Sequence, residues 1–543
     1  MTDQYSPAIA PTIVAPRANF NKSHNYKTTI DMDYLYPVFY DEVYPGMTMN
    51  VDATLFGRFA TLLYPLMDNV YVDLHFFWAP MRILWDNARK FWGEQDDPGD
   101  TIDYTIPRMT ATTSTGYSEL SLHDYFGLPT KVPDYTHISL YHRAYNQIYK
   151  WWYRDQNIID SPQIDTGNGP DSPANYVLRK RGKRHDYFTS GLPNLLKDPA
   201  TAQSLPLGTE APVLGIGLNN TEVGGTPAAV ATRIGGGSVP TYTGWNIEGS
   251  GNTPVGANEA VLRVEQGSTA GYPNIRADLT NATAATILQL RQSIQIQALL
   301  ELDARAGTRY NEIVYATYGV RHNQDSYQPE FLGMGSARID VNQIPQTSND
   351  GTNGNVGELS AFGIVTMRNA GFTKSFTEHG VVLGIVSARA DLTYQQGLDR
   401  LMDRSDRYDY LHPLLQNIGD QAVYKKEIRC VDPATDTGAT GEADNDRVFN
   451  YQERYAELKY KPNKLTGLFR SNATSSLDAW HLSEEFTGAA NPVFNQTFIE
   501  QNTPADRAIA VATEPHLILD INFNYQAAMP MHMYSIPGMG SRF

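Results

Sequence analysis

The sequence predicts a β-dominated fold with few helices, of a kind that a jelly roll with long inserted loops would satisfy. Three observations carry this. Period-two alternation of apolar and polar residues recurs near both ends of the chain, whereas helical periodicity is confined to two segments between them. Gly and Pro are plentiful, at 43 and 32 of 543 residues, which favours many turns. Strands and helices do not alternate regularly, so a doubly wound α/β sheet is disfavoured.

Taken in order, residues 1–20 read as an extended arm, broken by Pro7, Pro11 and Pro16. Met47, Met49 and Val51 alternate with Thr48, Asn50 and Asp52, and Val70, Val72, Leu74, Phe76 and Trp78 share one face of a strand stopped by Pro80. Ile138, Tyr141, Tyr145, Ile148 and Trp152 recur at three- and four-residue steps, which predicts an amphipathic helix. Ile287, Leu290, Ile294 and Ala298 predict a second one, with Gly307 as its stop. Val381 to Val386 predicts a strand buried on both faces. Leu517, Leu519, Ile521, Phe523 and Tyr525, alternating with Asp520, Asn522 and Asn524, give the clearest strand. Residues 201–280 stand apart: 14 glycines, many Thr and Ala, and few aromatics. They read as an ordered surface excursion with a small core from Val213, Leu214, Ile216, Leu218, Val261, Leu262 and Val264. The expected organisation is an arm (1–20), a first part of the core with an inserted helix (21–200), the excursion (201–280) and the remainder of the core (281–543).

Composition narrows the function. Hydrophobic residues make up 41% of the chain, enough to bury a large core, and 43 basic against 59 acidic side chains leave a net charge of −16. That balance argues against a surface that binds nucleic acid everywhere. Cys430 is the one cysteine, so neither an intrachain disulfide nor a zinc site with cysteine spacing is available, and a reducing compartment is expected. The N-terminus lacks the charge and apolar core of a signal peptide, and no apolar run approaches a membrane span, so no membrane insertion is expected.

Enzyme signatures are missing. The sequence has no GxxxxGK[ST] phosphate loop, HExxH or GxSxG, and the run Gly235, Gly236, Gly237 lacks a strand-then-helix setting. Glu378 and His379 are neighbours, and on an extended chain they point to opposite faces; His481 with Glu484 and Glu485 is equally weak. Neither a catalytic residue, a metal site nor a cofactor is expected. One cluster is informative: Arg179, Lys180, Arg181, Lys183 and Arg184 put five cations into six positions, followed by His185, Tyr187 and Phe188. Such a patch suits phosphates with an aromatic to stack on an unpaired base, and equally a solvated turn or a charged interface. Tyr149, Lys150, Trp151, Trp152, Tyr153 and Arg154 form a second group, expected to be helix core with a basic rim. A glycan-binding or glycan-cleaving β-sandwich, with Trp245 stacking on sugars, stays open at this point, and assembly state would separate it from a self-assembling protein.

Several long segments carry a resemblance. DEVYPGMTMNVDATLFGRFATLLYPLMDNVYVDLHFFWAPMRILWDN (41–87), RKRGKRHDYFTSGLP (179–193) and RQSIQIQALLELDARAGTRYNE (291–312) are similar to the major capsid proteins of the Microviridae, in the gokushovirus-like branch. So are GFTKSFTEHGVVLGIVSARADLTYQQGL (371–398), YQERYAELKYKPNKLTGLFRS (451–471) and LDAWHLSEEF (477–486). The resemblance implies an eight-stranded antiparallel jelly roll that assembles into a T=1 icosahedral shell around a circular single-stranded DNA genome. It implies a virion protein of a bacteriophage, assembled in the host bacterial cytoplasm. The partners implied are further copies of itself, a small basic DNA-binding protein, internal scaffolding and pilot proteins, and a host surface receptor. The excursion at 201–280 resembles the family's insertion that protrudes near the threefold axes, which makes Tyr242, Trp245 and Tyr272 candidate host-contact aromatics. A shell of such acidic chains carries on the order of a thousand negative charges, so either its inner face is locally basic or a cationic component neutralises the genome. Arg179, Lys180, Arg181, Lys183 and Arg184 are the candidates to face that genome.

Overall fold

The computed structural model describes residues 16–197, 213–214, 216–219, 261–264, 276–277, 287–307, 309–319, 327–345, 347, 359–434, 436, 444–487, 492–511 and 513–534. Ten strands build its two main sheets: β1 (Ala18–Asn21), β2 (His24–Ile30), β3 (Tyr36–Val43), β4 (Thr48–Phe59), β5 (Val70–Pro80), β6 (Glu330–Arg338), β7 (Asp340–Pro345), β8 (Leu359–Ser375), β9 (Gly380–Ala390) and β10 (Leu517–Met529). One sheet has four strands in the order β6-β5-β9-β3. The other has six, with β1 and β2 sharing one side of β10, followed by β4, β8 and β7.

The pairing is nested. β2 pairs with β10, β3 with β9, β4 with β8 and β5 with β6, all antiparallel. Cross-pairs of β10 with β4 and β9 with β5 complete each sheet. One long hairpin wrapped across two sheets gives this order, and it is that of a jelly roll. The six-stranded sheet holds two strands beyond the nested set: β7 at one edge and β1, whose residues the sequence places at the end of the arm.

Alternation explains the core. Val70, Val72, Leu74, Phe76 and Trp78 of β5 enter one hydrophobic cluster with Met47, Met49 and Val51 and with Leu517, Leu519, Ile521, Phe523 and Tyr525. Phe523 meets Phe39 across the sandwich with ring centroids 5.1 Å apart. β9 is buried at every position because its sheet is covered twice. Val382, Val386 and Ala388 face the sandwich, whereas Val381, Leu383 and Ile385 face a second cluster with the helix α1 (Leu140–Ile148). A continuous apolar run is what such a strand requires. Gly371 of β8 sits so close to β4 that a Cβ there would lie 2.0 Å from the Val51 carbonyl oxygen, so only glycine fits.

The helices depart from expectation in instructive ways. Ile138 ends a short strand, Thr136–Ile138, and α1 begins at Leu140 and runs into a π turn at Tyr149–Tyr153. Its polar face is buried too. Arg143 donates to Asp171 at 2.7 and 2.6 Å, and Asn146 donates to the carbonyls of Gln163 and Asn175. Helix α2 (Ile287–Ala306) stops before Gly307, whose φ of +104° ends it as expected. The expected amphipathicity of α2 is absent, however. Leu290, Ile294, Leu299 and Leu302 lie around its circumference and are exposed, and Ala304 is the one buried residue among those described on it.

The chain divides into two compact units, one from residues up to Leu195 and from Ala304 onward, the other Leu196–Asp303. In the second, Ile216–Asn219 pairs antiparallel with Val261–Val264, and Val213–Leu214 with Arg276–Ala277, so outgoing and returning chain form nested ladders. The side chains of the small core expected from Val213, Leu214, Ile216, Leu218, Val261, Leu262 and Val264 are outside the description, and Tyr242, Trp245 and Tyr272 lie outside the described residues.

Candidate nucleic-acid interface

The basic segment is extended and clamped on both sides. Leu35 N–H donates to the Arg179 carbonyl at 3.0 Å and Arg181 N–H to that of Asp33 at 2.6 Å. On the other side, Lys183 N–H donates to Ile499 O and Gln501 N–H to Arg181 O, each at 2.8 Å. An extended chain sends alternate side chains to opposite faces. Arg179, Arg181 and Lys183 therefore turn inward, and Lys180 and Arg184 turn outward.

The inward cations are neutralised or packed within the protein. Arg181 donates to Asp73 Oδ2 at 2.6 Å and to the Ser387 hydroxyl at 2.9 Å. Asp73, 1% exposed on β5, also accepts from Arg389 Nε at 2.8 Å and from the Ser336 hydroxyl at 2.6 Å. Burial opposes its ionisation, but the Arg181 and Arg389 guanidiniums and the Ser336 hydroxyl outweigh it and hold the carboxyl at about 2. Lys183 is buried, pairs with Glu484 at 2.7 Å and lies 4.5 Å over the Phe498 ring. Arg179 packs over Tyr149 at 5.3 Å. Within the five-cation run, Arg181 and Lys183 are thus bound to internal carboxylates, in keeping with the charged-interface reading for those two positions.

Two cations keep their charge available. Lys180 donates to the neutral Asn502 side chain at 3.0 Å and lies over Tyr34, and Arg184 is exposed; neither has an ion pair among the described residues. Tyr187 and Phe188 are not surface platforms, because both are buried in a third hydrophobic cluster with Phe449 and Phe498. The Tyr149–Arg154 group behaves as core and rim: Tyr149 is buried, Tyr153 shares a 2.6 Å hydrogen bond with His75, and Trp152 donates to Pro329 O at 2.9 Å.

Neither the Glu378–His379 nor the His481–Glu484/Glu485 pairing forms, although His481 lies 3.5 Å from Asp478. Glu378 pairs with Arg82 at 2.9 Å, while His379 stacks on Trp92 with centroids 3.7 Å apart. His481 is buried against the Phe469 carbonyl at 2.6 Å, and Glu484 serves Lys183. Asp73, the hub that fixes the basic segment, was hidden in the sequence as one polar residue of an alternating strand. The signal that could have found it is the parity of the basic run, whose odd positions must find partners if the even ones face water.

Buried histidines add a pH dependence. Burial, helped by Arg181, lowers His75 to about 4. His123, stacked on Tyr117 at 3.9 Å and 3.0 Å from His142, is lowered to about 4 chiefly by burial. Both pKa values are depressed relative to the unfolded chain, so unfolding takes up protons between about pH 6.5 and 4. Stability is complete above that window and falls as pH drops through it, by on the order of 2 kcal/mol for each histidine. Urea midpoints of the unassembled chain at pH 7 and pH 5 check this, and an unchanged midpoint contradicts it.

With this geometry in hand, comparisons with known proteins give a consistent result. The family model described as capsid protein (F protein) matches residues 8–539. Capsid protein VP1 of Bdellovibrio phage phiMH2K is 41% identical, covering 100% of this chain and 99% of the relative. Capsid protein VP1 of Chlamydia phage 1 is 40% identical over 97% of this chain and 96% of its own length. Capsid protein VP1 of Spiroplasma virus 4 is 33% identical over 96% and 95%. The nested sandwich and these full-length matches agree: the chain belongs to the capsid protein (F protein) family, in the gokushovirus-type branch of the Microviridae, a structural rather than an enzymatic family.

Proposed function

We propose that the chain is the repeating unit of a T=1 icosahedral shell that encloses a circular single-stranded DNA genome, assembled in the bacterial cytoplasm. The observation that carries this is the capsid-family match along nearly the whole chain, 8–539, over a jelly-roll strand order. Lys180 and Arg184 contact the packaged genome, since they are the outward-turned cations of the basic segment and neither is paired with a carboxylate among the described residues. Against a net charge of −16 two cations per chain are too few to neutralise a genome, which supports a separate small basic protein inside the shell. Internal scaffolding and pilot proteins complete assembly, and the 201–280 insertion, with Tyr242, Trp245 and Tyr272, meets the host receptor.

Subunit contacts need exposed apolar surface, and residues 401–418 supply it. Met402, Leu414 and Ile418 are 80%, 82% and 70% exposed, beside exposed Tyr408, Tyr410 and Leu411. The backbone below them is pinned: Tyr455 Oη donates to Tyr410 O at 3.1 Å and accepts from His412 N–H at 3.2 Å, and Arg454 donates to Tyr408 O at 2.9 Å. A rigid apolar platform on a self-assembling chain fits a second copy of that chain.

The genome contact is tested by filter binding of single-stranded DNA to the full chain across salt concentrations. Replacing both cations, Lys180→Gln with Arg184→Gln, is expected to flatten the slope of log affinity against log salt by about 1.4. An unchanged slope sinks the assignment of these two residues.

A further inference from the structure

A cleft in the same unit has no role in the fold or in the contacts above. Its walls are the chain after Tyr394 and the chain from Tyr460 to Arg470, tied by a parallel pairing of Thr393–Tyr394 with Asn463–Lys464. Phe188 lines its back, with the Tyr394 ring edge-on at 4.7 Å. The cleft is shallow, with a cavity volume of about 70 Å³, well below that of a site enclosing a whole drug-sized ligand, so it suits the edge of a flat ring rather than a bulky group.

The charges lining it decide what enters. Its acids are already occupied: Glu427 accepts from Tyr187 at 2.9 Å and Arg400 at 3.0 Å. Glu457 accepts from Gln421 at 2.6 Å and Arg404 at 3.4 Å, and Asp399 is paired with Lys464. Lys461 and Arg470 remain at the mouth with no hydrogen bond or ion pair to a carboxylate among the described residues. Tyr460 stands beside them, 47% exposed. Aromatic side chains in the lining and two exposed cations that form no ion pair among the described residues, Lys461 and Arg470, the former also acting at a distance on Asp399, suit an aromatic ring that carries an anion. Of the bearers of such a group, single-stranded DNA is favoured by continuity: the exposed Arg184 precedes the buried Tyr187–Phe188 pair at the back of this cleft by three residues.

We propose that the cleft seats a nucleotide of single-stranded DNA, its base entering edge-first and stacking against Tyr460, with the phosphate held by Lys461 and Arg470. This rests on the genome-facing reading of Lys180 and Arg184 and extends it from phosphate contact to base contact. Base stacking tolerates any sequence, which a shell that must bind a whole genome requires.

The test is fluorescence anisotropy of the full-length chain with a short oligodeoxythymidylate and with an abasic oligonucleotide of equal length. The native chain is expected to bind the base-bearing strand roughly tenfold more tightly than the abasic one. Tyr460→Ala, an exposed change that leaves the fold intact, removes that difference and leaves abasic binding unchanged. Lys461→Gln with Arg470→Gln weakens both strands. Equal affinity for the two strands in the native chain, or an unaltered preference in Tyr460→Ala, overturns the proposal. So does tighter binding of a Tyr- and Glu-rich peptide than of the oligonucleotide, which would assign the cleft to a protein partner. If Lys180→Gln with Arg184→Gln loses binding while the cleft variants keep it, the genome-facing reading stands and the base site fails. If none of the variants affects binding, both fail.

Discussion

Asp73→Asn is expected to lower folding stability by about 3–5 kcal/mol, the largest effect of any single substitution considered for this fold. The carboxylate is buried and serves Arg181, Arg389 and the Ser336 hydroxyl at once. Removing its charge leaves two guanidiniums in a covered site, Arg389 among them at 2% exposure, with no full counter-charge. Asp391 lies 3.6 Å from Arg389 and compensates only in part. Equilibrium urea unfolding of the unassembled chain measures the loss. Because Asp73 is held at about 2, below its unfolded value, its contribution is present above about pH 4 and disappears as pH falls toward 2. The variant's stability is therefore flatter than the native chain's across that window. A loss below about 0.5 kcal/mol, typical of an exposed surface position, would contradict the triad as the anchor of the basic segment.

The second large effect concerns assembly. Leu414→Asp together with Ile418→Asp places two charges where the structure exposes apolar side chains on a pinned backbone. Neither residue is part of a buried cluster, so the monomer is expected to keep its fold and its urea midpoint within about 0.5 kcal/mol. Burying either charge against a second subunit costs at least about 2 kcal/mol per contact, and each subunit of a shell repeats the loss. The concentration needed for assembly therefore rises by more than tenfold. Assembly at the native concentration would show that 401–418 is not a subunit contact.

Much of the sandwich was legible because a strand half-buried on one side writes its burial as alternation. Leu517 to Tyr525 and Val70 to Trp78 each put their predicted faces into one core. Val381 to Val386 was legible for the opposite reason, since a sheet covered by α1 on one face and by its partner sheet on the other leaves no polar side. The nesting of β2 with β10 was not readable from period, because pairing between residues some 500 apart leaves no local mark. Alternation puts Asp73 and His75 on the face of β5 opposite the core residues, and that face is covered too, Asp73 by Arg181 and His75 by Tyr153. The basic run was legible, but the division of its cations between internal carboxylates and the outward face was not, because that depends on what packs against each side of the extended chain. Residues 401–418 left no legible mark, since the three-residue turns at Arg400–Met402, Arg407–Asp409 and Pro413–Leu415 carry no period that would reveal an outward face.

The most direct measurement is negative-stain electron microscopy of the purified chain, alone and with single-stranded DNA and the other virion components, beside the Leu414→Asp Ile418→Asp variant. Uniform closed shells from the native chain, and isolated subunits from the variant, are the predicted result. Monodisperse monomers of the native chain under every one of these conditions would contradict its role as the unit of a self-assembling shell.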